Sequence, residues 1–157
     1  MDIQLILGPN NSGKSLLAEK MVVETQNLKR IYLATMIPQT KDNKERIQKH
    51  IIQRAGKGFQ TIEEPWNIHK LDFPKESVVL LEDASNLLAN GIFVHHSDAQ
   101  ESYEHILSLA DRCQKLIIVS IDGLTEGNYD EETNNYIHQL NELNCMLESI
   151  STNCIKF

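Results

Sequence analysis

The chain has 157 residues and a formal net charge of −7, with 41% apolar and 24% charged residues. That length fits one domain with a real core, and the acidic balance leaves no broad basic surface to neutralise the phosphates of duplex nucleic acid. No apolar run approaches the ~18 residues of a membrane span, the N-terminus runs into a strand without a leader pattern, and Cys113, Cys145 and Cys154 lack C-x-x-C spacing, reading as reduced, buried thiols of a cytoplasmic protein.

In chain order, the first apolar run, Ile3–Leu7, reads as a buried strand. It leads into Gly8-Pro9-Asn10-Asn11-Ser12-Gly13-Lys14-Ser15, a complete G-x-x-x-x-G-K-[ST] phosphate loop. A helix is predicted near Gly13–Thr25, with Leu17 and Met21 on one face. Strand, loop and helix together form an anion site, because loop and helix N-terminal amides converge on phosphate oxygens. Lys14 then reaches the outer phosphates as a point charge, and the Ser15 hydroxyl is placed for Mg²⁺. The ligand expected is ATP or GTP with Mg²⁺. Further strands are predicted at Arg30–Ala34, Phe59–Ile62, Val78–Leu81, Leu116–Ser120 and Asn153–Phe157. Helices are predicted near Asn43–Arg54, Ala84–Val94, Asp98–Arg112 and Glu131–Glu148. Ser97-x-x-Gln100 resembles a capping box ahead of a Tyr103, Ile106, Leu107, Ala110 stripe. Tyr136, Ile137, Leu140, Leu143 and Leu147 form the stripe of the last helix. Apolar strands alternating with helices, without a linker or repeat, predict one α/β domain over 1–157. The expected fold is P-loop NTPase-like, a three-layer α/β/α arrangement with a mostly parallel sheet, its ligand at the carboxyl ends of the strands.

Two further stretches carry chemistry. Val78-Val79-Leu80-Leu81-Glu82-Asp83 is an apolar strand ending in two carboxylates, where P-loop proteins hold Mg²⁺ or orient the nucleophile. Acidic residues at such positions also serve as helix N-caps. In the predicted second helix Asp42 and Glu45 suggest an N-cap, Gly56 a stop, and Ile47 with Ile51 a buried stripe. Arg46, His50 and Arg54 recur at i+4 and share a face. Two guanidinium groups clamp phosphate and disfavour an imidazolium between them, leaving a nitrogen free to attack phosphorus. A solvated basic face carrying a histidine has the same sequence pattern. Glu63 at the end of the third strand reads equally well as an acceptor of a ligand's hydrogen bonds and as surface charge, and Trp66 reads as a core anchor. His69, His95, His96, His105 and His138 share no metal-ligand spacing and receive no role.

In this order the residues resemble the bifunctional adenosylcobinamide kinase / adenosylcobinamide-phosphate guanylyltransferases of cobalamin biosynthesis. The resemblance rests on Ser12-Gly13-Lys14-Ser15, Tyr32-Leu33-Ala34-Thr35, Asp42 with Glu45-Arg46-Ile47, His50 and Arg54. It continues through Phe59, Thr61, Glu63, Pro65, Leu80-Leu81-Glu82, Ser85 and Asn90, covering about the first ninety-five residues and thinning beyond them. The Arg-Ile-x-x-His element is its most specific part. The resemblance implies a homotrimer that phosphorylates adenosylcobinamide and then transfers GMP to that phosphate through a guanylyl-histidine. It makes His50 the nucleophile and Gly8–Ser15 the triphosphate cradle. It places Ala34, Thr35 and Met36 beside the nucleotide, has Arg54 and Glu63 contact it, and assigns Glu82 to the metal or acceptor, beside the phosphate clamp read for Arg46 and the strand-end role read for Asp83.

The chain departs from that pattern at Pro9 and Asn11 of the loop, at Ser120-Ile121-Asp122-Gly123 after the fifth strand, and near Asn135 and Asn141. Those later positions belong to the part expected to build the acceptor pocket. Two other readings therefore stay open: a nucleotide-binding regulatory or scaffolding protein, and a P-loop kinase for another hydroxylated acceptor. No Asn-Lys-x-Asp element reads guanine, so the base preference rests on the resemblance.

Overall fold

The computed structural model describes residues 1–38 and 40–157. Among the described residues six strands form one sheet in which every pairing is parallel. They are β1 (Asp2–Gly8), β2 (Lys29–Ala34), β3 (Gln60–Glu63), β4 (Ser77–Glu82), β5 (Lys115–Ile121) and β6 (Asn153–Lys156). Their order is β3-β2-β4-β5-β1-β6. The helices are α1 (Lys14–Glu24), α2 (Lys41–Arg54), α3 (Ala84–His95), α4 (Ala99–Ala110) and α5 (Glu131–Ile150), with a single 3₁₀ turn over Ile68–Lys70 that sequence periodicity does not signal.

The four central strands are buried on both faces, which explains why they read as continuous apolar runs rather than alternating ones. One face carries Ile6, Tyr32, Leu80, Ile117 and Val119 against Ala18 and Val22 of α1. The other carries Leu5, Leu33, Leu81 and Ile118 against Leu87, Leu88, Ile106, Leu109, Leu140 and Leu143 of α3, α4 and α5. Trp66 is buried in this second core as expected. Gly91 permits it, since a Cβ there would lie 2.5 Å from Trp66 Cζ3. The layers and the parallel sheet are those expected of a P-loop NTPase-like fold. Beside the start of the loop, where Gly8 pairs with Ile121, buried Asn144 of α5 accepts from Ser120 Oγ at 2.7 Å and donates to Ile121 O at 2.9 Å, fixing the end of β5.

Several local expectations are corrected. α2 is capped by Thr40, whose hydroxyl accepts from Asn43 N, rather than by Asp42. α4 is capped by Asp98, which accepts from Glu101 N at 2.9 Å, rather than by Ser97. Its inward face carries Ser102 and His105 with Ile106 and Leu109, while Leu107 is only half-buried. The imidazole of His105 is accommodated by stacking on His69, with ring centroids 3.8 Å apart, and by Nδ1 lying 3.2 Å from Trp66 O. Cys113 is buried, and burial pushes its thiol up to about 12. Cys145 is exposed and Cys154 half-buried, so only one of the three cysteines is the buried thiol expected.

The largest correction concerns α2. Ile51 is 41% and Ile52 67% exposed, and the only buried residue of the helix is Arg54. The face turned toward the sheet is the basic one.

Candidate functional site

β1 ends in the phosphate loop, and two left-handed positions shape it. Asn11 has φ +58 and Gly13 has φ +91, the latter as the residue that caps α1. Asparagine tolerates this region better than other side chains, and glycine has no Cβ to oppose it. Lys14 is buried and its Nζ donates to the Pro9 carbonyl at 3.0 Å, so the cation is folded across the loop. The Ser15 hydroxyl donates to Glu82 Oε1. β5 lies between β1 and β4 in the sheet, yet this contact joins their carboxyl ends. Glu82 Oε2 is buried without a hydrogen-bond partner. Burial, and then the neighbouring Asp83 charge, push the Glu82 carboxyl up to about 8.

A buried carboxylate oxygen without a donor, beside a hydroxyl at the edge of a phosphate loop, is the donor set a hard divalent cation accepts. Ser15 and Glu82 therefore fit Mg²⁺. Asp83 spends Oδ1 on the α3 cap, accepting from Ser85 Oγ and Asn86 N, both at 2.7 Å. Its second oxygen is not engaged by the cap.

Above the loop, α2 contributes Arg46, Lys49, His50 and Gln53 to a cleft of about 240 Å³ whose floor is Asn11–Ser15 and whose back wall is Glu82 and Asp83. Arg46 Nη2 reaches Asn10 Oδ1 at 3.4 Å. A smaller cavity opens beside it, lined by Tyr32, Ala34, Met36, Arg54 and Glu63 and sharing Arg46, His50, Glu82 and Asp83 with the cleft. His50 Nδ1 lies 3.2 Å from the Tyr32 hydroxyl. Burial first, and the Arg46 guanidinium second, hold His50 below the ordinary imidazole range, so the ring is neutral near pH 7. Arg54 lies flat over Tyr32, its Cζ 3.8 Å from the ring centroid, and donates to Thr61 Oγ1 at 3.0 Å. Beneath α2, fully buried Glu19 of α1 accepts from Lys57 Nζ at 3.1 Å and from Gln53 Nε2. This polar seam joins the loop helix to the histidine helix.

The sequence-predicted residues thus fall into three groups. Lys14, Ser15, Arg46, His50, Glu82 and Asp83 meet around one cleft. Ala34, Met36, Arg54 and Glu63 line the adjoining cavity. Thr35 is fully buried and belongs to neither wall: its hydroxyl accepts from Asp83 N at 3.0 Å and lies 2.9 Å from Asp83 O, bracing the turn after β4. Sequence reasoning missed Tyr32, Glu19 and Gln53. Tyr32 in a strand reads as core, and only its two-residue spacing from Ala34 hints that both share a face. Glu19 reads as ordinary helix surface.

A family model described as cobinamide kinase / cobinamide phosphate guanyltransferase matches residues 4–155. The match extends well past the first ninety-five residues in which the motifs cluster. No curated protein matches the chain.

Proposed function

The chain belongs to the cobinamide kinase / cobinamide phosphate guanyltransferase family, and we propose that it is a working transferase of cobalamin biosynthesis, carrying GMP as a guanylyl group on His50. The observation that carries this reading is the single cleft in which a phosphate loop and a neutral, half-buried imidazole face one another. The substrates are ATP or GTP and a small acceptor, adenosylcobinamide, and the working form is a cytoplasmic homotrimer.

In the kinase step the acceptor hydroxyl oxygen bonds to the γ-phosphorus, nucleoside diphosphate leaves, and the hydroxyl proton passes to Asp83. In the guanylyl step a His50 nitrogen bonds to the α-phosphorus of GTP, the bond to the β-phosphate oxygen breaks, and pyrophosphate leaves. An oxygen of the acceptor phosphate then attacks the same phosphorus and the histidine leaves with its electron pair. Lys14 and the loop amides hold the β- and γ-phosphates. Arg46 and Lys49 neutralise charge that builds on the transferring group. Ser15 and Glu82 would hold Mg²⁺, which would supply charge neutralisation on the phosphates.

Incubation with α-labelled GTP and Mg²⁺ tests the reading. Acid-labile, hydroxylamine-resistant label is expected on the wild-type chain and none on His50→Ala. An unlabelled wild type points instead to a nucleotide-binding protein without turnover, and label persisting in the variant removes His50 as nucleophile.

A further inference from the structure

We propose that Tyr32 is the positioning residue of the guanylyl-transfer step, accepting the Nδ1–H of His50 and so fixing the tautomer that leaves Nε2 as the attacking nitrogen. The inference rests on the functional reading above.

A neutral imidazole has one N–H and one free electron pair, and the partner of one nitrogen decides the state of the other. The Tyr32 hydroxyl lies 3.2 Å from Nδ1 and is the only hydrogen-bond partner of the His50 ring among the described residues. Tyr32 is 2% exposed on the inward face of β2, so Nδ1 is turned into the protein. The two ring nitrogens diverge, which leaves Nε2 for the cleft that His50 shares with the phosphate loop. A proton on Nε2 would block attack, whereas a proton on Nδ1 leaves Nε2 its electron pair.

A hydroxyl can donate to Nδ1 or accept from it; only acceptance leaves Nε2 its electron pair, so the transfer reading sets the direction, and the phenol itself stays protonated. Burial first, and the nearby Glu82 carboxylate second, push Tyr32 upward, outweighing the opposite pull of Arg54. A neutral oxygen accepts the Nδ1–H without removing it. As Nε2 bonds to the α-phosphorus, positive charge develops on the ring and the same oxygen faces it. Because the acceptor carries no charge, it does not lock the ring as a stable imidazolium, and the phosphorus–nitrogen bond stays open to the second transfer. Arg54 over the ring, anchored on Thr61, sets the height of the hydroxyl. Lysine at position 54 would lose both the flat stacking and the bidentate anchor.

Tyr32→Phe removes one oxygen and keeps the ring beneath Arg54. The state of His50 is read at about pH 8, above the ordinary imidazole range, by nitrogen NMR on protein carrying labelled histidine, with His50→Gln identifying the signal. Expected are a protonated Nδ1 and a bare Nε2 in wild type, with a share of the opposite tautomer in Tyr32→Phe. The rate of labelling by α-labelled GTP should fall about tenfold, the worth of one hydrogen bond to the reacting ring, with GTP affinity unchanged. A wild-type His50 protonated on Nε2, or a Tyr32→Phe protein labelled at the wild-type rate, overturns the inference. A wild type that has the Nδ1–H form but takes no label overturns the guanylyl-transfer reading and leaves the tautomer assignment standing.

Discussion

Replacing Glu82 with glutamine should change the pH dependence of stability more than it changes stability itself. The carboxyl stands at about 8 in the fold against an ordinary 4.5, because burial and Asp83 both oppose its charge. Below about pH 4.5 it is protonated in folded and unfolded chains alike and contributes no slope. Between about 4.5 and 8 the unfolded chain releases the proton while the folded chain keeps it, so stability falls as pH rises. Above about 8 both states are ionised and the loss is complete. Within the window the slope approaches about 1.4 kcal/mol per pH unit. From about pH 6 to about pH 7.5 Glu82 alone therefore removes about 2 kcal/mol. Glutamine keeps an oxygen to accept from Ser15 and carries no charge. Urea unfolding of both proteins at the two pH values, without nucleotide or Mg²⁺, isolates the effect, since other titrating groups cancel in the difference. The Glu82→Gln variant should gain about 2 kcal/mol on wild type between the lower and the higher pH. A difference between the proteins that does not move with pH refutes the argument.

Lys14→Ala should weaken triphosphate binding by about one to two orders of magnitude, the worth of a charge-assisted contact. Its melting temperature should change little, because the cation's hydrogen bond goes only to the Pro9 carbonyl; calorimetric titration with ATP and GTP that finds wild-type affinity removes the phosphate-cradle assignment. Gly91→Ala should destabilise the chain by about 1–3 kcal/mol, since the added Cβ would lie 2.5 and 2.7 Å from the Trp66 ring. Thermal melts and tryptophan fluorescence report it, and an unchanged melt would mean that the ring shifts at no cost.

The sheet was legible because the middles of its central strands are buried on both faces and the strands are flanked by turn residues. Ile3–Leu7 and Val78–Leu81 are each extended by a residue or two in the structure, an end effect that the apolar pattern does not encode. The phosphate loop was legible because its chemistry is local: glycines, lysine and serine act through their own backbone and nearest neighbours. The same locality explains the misplaced caps. Ser97 and Asp98 both match a capping residue, as do Thr40 and Asp42, and which one turns inward is set by where the preceding strand or helix delivers the chain. The buried Glu19 was not legible at all, since its partners Gln53 and Lys57 come from a segment more than thirty residues away.

The second helix shows most clearly where pattern reading stops. Its isoleucines and its basic residues recur at similar spacings, and the rule that the apolar stripe faces the core selects Ile47 and Ile51. That rule presumes an apolar partner surface. Here the surface offered by the sheet edge and α1 is polar: the Tyr32 hydroxyl, Glu19, Thr61 and the Glu82–Asp83 pair. Burying Ile51 against them would have left those groups without partners, which costs more than the apolar contact returns. Turning Arg54, His50 and Gln53 inward gives the phenol a stacked guanidinium and an imidazole, and gives Glu19 a donor beside Lys57. Ile51 and Ile52 then remain at the surface, while Ile47 is half-buried and lines the cavity beside His50. Carboxylates placed to serve a cation and a phosphate loop placed to serve an anion thus determine, through the polar ground they leave between them, which side of α2 meets the cleft.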